Sequence, residues 1–89
     1  SLFAGSEALE ADPGRYVALN DDPSGRNPHP RMTLTLAGIA RARLVVVTVE
    51  GEAKAEALAA VARGDDVPAG RIDAERVVWL ADEAAASLL

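Results

Sequence analysis

The run Leu44-Val45-Val46-Val47-Thr48-Val49 constrains this chain more than any other stretch. All but Leu44 are β-branched, and all but Thr48 are apolar. Such side chains lose rotamer freedom in a helix and pack well on a pleated surface. An apolar run without alternation predicts a strand covered on both faces, as in a parallel sheet with helices on each side. Glu50-Gly51 ends the run. Glu52 to Arg63 then carries helix formers almost throughout, and Gly64 follows as a C-cap. After an Asp65–Arg71 loop, Val77 to Leu80 reads as a second buried strand. Asp82 to Leu89 reads as a closing helix with Asp82 as its N-cap.

The chain before this unit is more broken. Ser6 to Glu10 predicts a turn or two of helix capped by Ser6, and Asp12-Pro13-Gly14 stops it. Tyr16 to Leu19 predicts a brief strand. Asn20 to Pro30 is loop, with the turn signature Asp22-Pro23-Ser24-Gly25 and then Pro28-His29-Pro30, which excludes helix. Arg31 to Leu36 alternates, with Met32, Leu34 and Leu36 on one face and Arg31, Thr33 and Thr35 on the other. Ala37 to Arg43 has room for a short crossover element only. The order predicts a parallel sheet centred on Leu44–Val49 and flanked by Arg31–Leu36 and Val77–Leu80. A sheet of this kind without a leading helix looks like part of a larger α/β domain, with its first strand an exposed edge.

Composition narrows the function. The chain has 89 residues, room for one small domain. It lacks cysteine, so disulfides, zinc ribbons, iron–sulfur ligation and thiol nucleophiles are excluded, and one histidine excludes a histidine-rich metal site. A net charge of −5 argues against nucleic-acid binding. No apolar stretch is long enough to span a membrane, and no signal peptide is visible, so the expected location is cytoplasmic. Nineteen alanines and only three aromatics, Phe3, Tyr16 and Trp79, imply close helix–sheet packing rather than an aromatic core.

Two cations stand out. Lys54, the sole lysine, falls in the first turn of the helix that follows the Leu44–Val49 strand. Ligands of open α/β sheets bind at the carboxyl ends of strands, and a helix start offers free amides to an anion. A cation is disfavoured at that end unless an anion sits between. The other reading is a solvated lysine beside Glu50, Glu52 and Glu56. Arg31 opens its strand after the rigid Pro-His-Pro, a delivery that suits carboxylate or phosphate recognition, or a plain surface position. His29 has no neighbour that would activate an imidazole. Asp21-Asp22 and Asp65-Asp66 lack a calcium-loop ligand series and read as turn residues. No serine sits in a nucleophile elbow, and no glycine pattern forms a phosphate loop.

Four segments in order resemble the C-terminal part of the 6-phosphogluconolactonase family. Ser1-Leu2-Phe3-Ala4-Gly5-Ser6 resembles Ser-Leu-Phe-Pro-Gly-Ser, with alanine for proline. Pro30-Arg31-Met32-Thr33-Leu34-Thr35-Leu36 resembles Pro-x-Arg-x-Thr-Leu-Thr with a shortened spacer. Val45 to Lys54 resembles a strand leading to Gly-x-x-Lys, and Val77 to Ala85 resembles the closing Trp-x-x-Asp-x-x-Ala element.

The resemblance implies a Rossmann-like α/β fold, mainly parallel with helices on both faces, of which residues 1–89 would be an incomplete C-terminal piece. It implies hydrolysis of 6-phospho-D-glucono-1,5-lactone to 6-phospho-D-gluconate in the oxidative pentose phosphate pathway, without metal or cofactor. The family's general-base histidine lies in a Gly-His-Thr-Ala stretch directly before Ser-Leu-Phe. It would therefore precede Ser1, and the remaining N-terminal portion of the fold would be this chain's partner. His29 does not correspond to it. The family lysine that binds the substrate phosphate corresponds to Lys54, and a pocket arginine to Arg31. Without the histidine, residues 1–89 alone are expected to be inactive. A sugar-phosphate deaminase or isomerase of the same superfamily, or a non-catalytic α/β binding piece, are the other readings. Ser1-Leu2-Phe3 is of the lactonase type.

Overall fold

The structure, a computed structural model, describes residues 1–89 and contains two separate two-stranded sheets. In the first, β1 (Val17–Asn20) pairs antiparallel with β2 (Arg31–Leu34), placing Val17 opposite Leu34 and Asn20 opposite Arg31. In the second, β3 (Leu44–Val49) pairs parallel with β4 (Arg76–Ala81), placing Val47 opposite Trp79. Helix α1 (Leu36–Ala40) joins the sheets. Between β3 and β4 run a 3₁₀ turn, Glu52–Lys54, then helix α2 (Ala55–Arg63) and a second 3₁₀ turn, Pro68–Arg71.

The β3–α2–β4 unit follows the sequence reading closely. Gly64 takes φ +80° and closes α2, its amide donating to the Ala60 and Val61 carbonyls. Ala55, Leu58 and Ala59 are buried, the i, i+3, i+4 stripe of a helix that packs by one face. At the N-terminal end, a 3₁₀ helix spans Glu7–Glu10.

Two expectations are corrected. The Arg31–Leu36 strand is not part of the parallel sheet. It is shorter, Arg31–Leu34, and turns back on β1. A parallel partner needs a crossover of about a dozen residues or more, and only residues 35–43 separate β2 from β3. The Asp21–Pro30 loop instead permits a hairpin. The segment Asp82–Leu89 forms successive turns rather than a regular helix. One i→i−4 bond, from the Ala86 amide to the Asp82 carbonyl at 3.0 Å, is followed by shorter-range bonds from Ser87 and Leu89. Only Ala85 and Ala86 of this segment are even partly buried, so it lacks the packed face that holds a short helix. Within residues 1–89 one face of β3 is covered. Val45, Val47 and Val49 are half-buried, whereas Leu44, Val46 and Thr48 are exposed.

Ser6 also departs from its expected capping role. Its hydroxyl accepts from the Asn20 amide at 3.0 Å, and makes no cap bond. Asn20 donates to the Ser1 carbonyl at 2.6 Å and accepts from the Ala8 amide at 3.3 Å. Its buried side chain thus ties the N-terminal segment to β1, and these bonds stand in for the water that burial excludes.

The principal packing falls into two groups. The Glu7–Glu10 turn, β1, β2 and α1 pack together; β3 packs on β4, and α2 packs on its flanking turns and walls an apolar trough with β3 and Trp79. An exposed ion pair, Arg71 to Glu10 at 3.4 Å, crosses between them.

Candidate functional site

Lys54 occupies the turn after the carboxyl end of β3. Gly51 makes the corner at φ +91°, a conformation that other residues rarely adopt. The corner is fastened to the neighbouring strand, because the Gly51 amide donates to both carboxylate oxygens of Asp82, at 3.1 and 3.2 Å. Asp82 also accepts from the Ala85 amide at 2.8 Å, so it does cap the turn that follows β4. The Lys54 amide closes back onto the Gly51 carbonyl at 3.1 Å, and the Ala55 amide onto the Glu52 carbonyl. The amides of Glu52 and Ala53 are left without an acceptor in the chain.

The Lys54 side chain is exposed and makes no ion pair. Glu50, Glu52 and Glu56, its neighbours in sequence, do not come within salt-bridge distance. Lys54 borders a cavity of about 220 Å³ whose walls include Val47, Val49, Leu58, Val61 and Trp79. The arrangement is an apolar trough between β3 and α2, with one cation at the strand's carboxyl end. An anion could be met there by the ammonium and by the two open amides.

Arg31 stands on the other sheet. Its guanidinium donates to the Asn27 side-chain oxygen at 3.1 Å and lies over the Phe3 ring, 5.8 Å from the centroid. The structure thereby brings together the Ser1-Leu2-Phe3 and Pro30-Arg31 elements. It does not join Arg31 to Lys54 by any hydrogen bond or common carboxylate. His29 is exposed between its prolines and makes no side-chain hydrogen bond.

The loop before Arg31 is organised by Asp22. One carboxylate oxygen accepts from the Ser24 amide and hydroxyl at 2.8 and 2.7 Å. The other accepts from the Asn27 amide and side-chain nitrogen at 3.1 and 2.9 Å. These bonds, with the Asn27 side chain foremost and Ser24 next, hold the Asp22 carboxyl down from 3.8 to about 2. Asp65 has a simpler role, pairing with Arg63 at 2.8 Å.

Sequence reasoning missed Asn27, Asn20 and the Gly51–Asp82 bond. The Asp22-Pro23-Ser24-Gly25 turn was legible, and Asn and Asp commonly bond a nearby backbone in turns. That cue points to the residue but not to its partner. The Gly51–Asp82 contact follows only from the parallel register that sets β3 beside β4.

No helix is long and apolar enough to cross a membrane. The 6-phosphogluconolactonases of Mycobacterium bovis and Mycobacterium tuberculosis are each 41% identical over 93 aligned residues, which cover 100% of this chain and 37% of theirs. The chain thus spans well under half the length of these curated relatives. The crystal structure of devB protein superposes with a TM-score of 0.78 at 23% identity, over 98% of this chain and 37% of that one, and shows the same mixed α/β fold. Residues 1–79 match the family described as glucosamine-6-phosphate isomerases/6-phosphogluconolactonase, and the chain belongs to that family.

Proposed function

We propose that residues 1–89 form the C-terminal, phosphate-holding portion of a 6-phosphogluconolactonase domain with a Rossmann-like fold. The observation that carries this reading is Lys54. It is an exposed cation without an acidic partner, in a Gly-x-x-Lys turn at the carboxyl end of a parallel strand. Membership of a sugar-phosphate family and relatives called 6-phosphogluconolactonase favour the lactone over an aminosugar substrate.

In this reading a histidine outside residues 1–89 removes a proton from water. The water oxygen bonds to the lactone carbonyl carbon, giving a tetrahedral oxyanion. The oxyanion reforms the carbonyl as the ring C–O bond breaks, and the proton passes to the departing ring oxygen. Lys54 holds the dianionic phosphate and so places the carbonyl. Arg31 contributes a second positive charge to the same substrate. The reaction consumes only water and calls on no metal or cofactor.

Kinetics test this. The 89-residue chain alone is expected not to accelerate lactone hydrolysis, since loss of a general base commonly costs about 10²–10⁴-fold. In the native-length polypeptide, Lys54→Ala removes a charge-assisted contact worth roughly 1.5–3 kcal/mol, or about a 10- to 150-fold fall in kcat/KM. The fall should be confined to the phosphorylated lactone. An equal fall with a dephosphorylated lactone would show that Lys54 does not read phosphate, and no change with either would return it to the surface.

A further inference from the structure

Arg31 differs from the arginines of this chain that are balanced by acids. Arg63 pairs with Asp65 and Arg71 with Glu10. Arg31 is met instead by a neutral amide oxygen and an aromatic ring, and it makes no ion pair. A guanidinium carries five N–H donors, and one is engaged by Asn27.

An asparagine can present either end of its amide to a cation, and only the oxygen end attracts one. Here that choice is made by Asp22. Its carboxylate takes the Asn27 side-chain nitrogen at 2.9 Å and the Asn27 backbone amide at 3.1 Å. With the nitrogen end held, the oxygen end is turned to Arg31. Ser24 fixes the other carboxylate oxygen, so Asp22 itself is not free to rotate.

We propose that Asn27, turned by Asp22, is a positioning residue that holds Arg31 ready for the anionic group of the substrate. The proposal rests on the lactonase reading for its substrate, though not for its mechanics. A direct aspartate–arginine pair would fix the guanidinium equally well but cancel its attraction for an anion. Placing a neutral amide between carboxylate and guanidinium fixes one without neutralising the other.

The experiment is a double-mutant cycle of Asn27→Ala and Arg31→Ala in the native-length polypeptide. Affinity is read with 6-phosphogluconate and with inorganic phosphate, and the Arg31 guanidinium is followed by side-chain NMR without ligand. Asn27→Ala is expected to weaken anion binding about 3- to 10-fold, the worth of one hydrogen bond, and to free guanidinium rotation. In the Arg31→Ala background the same change should do nothing more. An equal loss in both backgrounds would make Asn27 a mere loop support and overturn the proposal. So would an Arg31 already rotating freely in the wild type, or anion affinity indifferent to Asn27. Coupled anion binding in a protein that does not hydrolyse the lactone would uphold the positioning role and remove the lactonase reading.

Discussion

Asp22 is half-buried and has the one clearly displaced acidity of the chain, lowered from 3.8 to about 2 by donors from Asn27 and Ser24, which outweigh the opposing effect of its burial. A carboxyl depressed in the folded state stabilises the fold above its ordinary titration range. That contribution fades as pH falls through about 4 towards 2. Carbon-detected NMR titration of the Asp22 carboxyl should therefore show a midpoint near 2, and Asn27→Ala should move it up towards 3.8. A wild-type midpoint already near 3.8 would mean that the loop does not hold these donors in solution. The place of Lys54, in the turn between β3 and α2, was legible from the strand, glycine and helix formers that surround it. Asn27 was not, because its role needs the path of the chain from Asp22 to Arg31, and no spacing rule sets that path.

Helix α1 shows how a short element survives. Five residues cannot sustain a helix by propensity. Thr35, almost fully buried, accepts from the Gly38 amide at 3.0 Å and donates to the Arg15 carbonyl at 2.5 Å, while its own amide donates to the Tyr16 carbonyl at 2.9 Å. Gly38 lies so near the Tyr16 carbonyl that a Cβ there would collide with it. Gly38→Ala is expected to destabilise the fold by about 1–3 kcal/mol through overpacking against backbone, read from the denaturant midpoint. Thr35→Val keeps the shape and loses the hydroxyl bonds, for a cost of about 1–2 kcal/mol. If Gly38→Ala is neutral, α1 does not press on the end of β1. Local pattern exposed β3, α2 and β4, since β-branched runs, helix formers and a terminal glycine act within a few residues of themselves. It did not expose the partner of β2. Alternation tells that a strand has two faces, while pairing direction depends on the length and geometry of the connections on either side.

Only nine residues of 89 are buried, and ten large apolar side chains are exposed, among them Leu19 at 75% and Met32 at 71%. Val17, Leu19, Met32 and Leu34 share one face of the β1–β2 hairpin, since cross-strand partners point the same way. The radius of gyration is 13.4 Å, against about 12 Å for a compact domain of this length. The isolated 89-residue chain is expected to bind the dye ANS and to unfold over a broad denaturant range. A sharp transition without dye binding would refute this. The two sheets also share no strand, and the ion pair between their packing groups is exposed and weak. Hydrogen-bond ladders therefore give the halves no common zipper. The β1–β2 hairpin closes over the ten residues Asp21–Pro30, whereas β3 meets β4 only after a longer excursion through α2. Shorter closure costs less entropy, so the hairpin should register first and the parallel pair later. Amide hydrogen exchange should then sort the backbone into two families with separate opening energies, the boundary falling near residues 41–43, so that either half can breathe while the other stays shut.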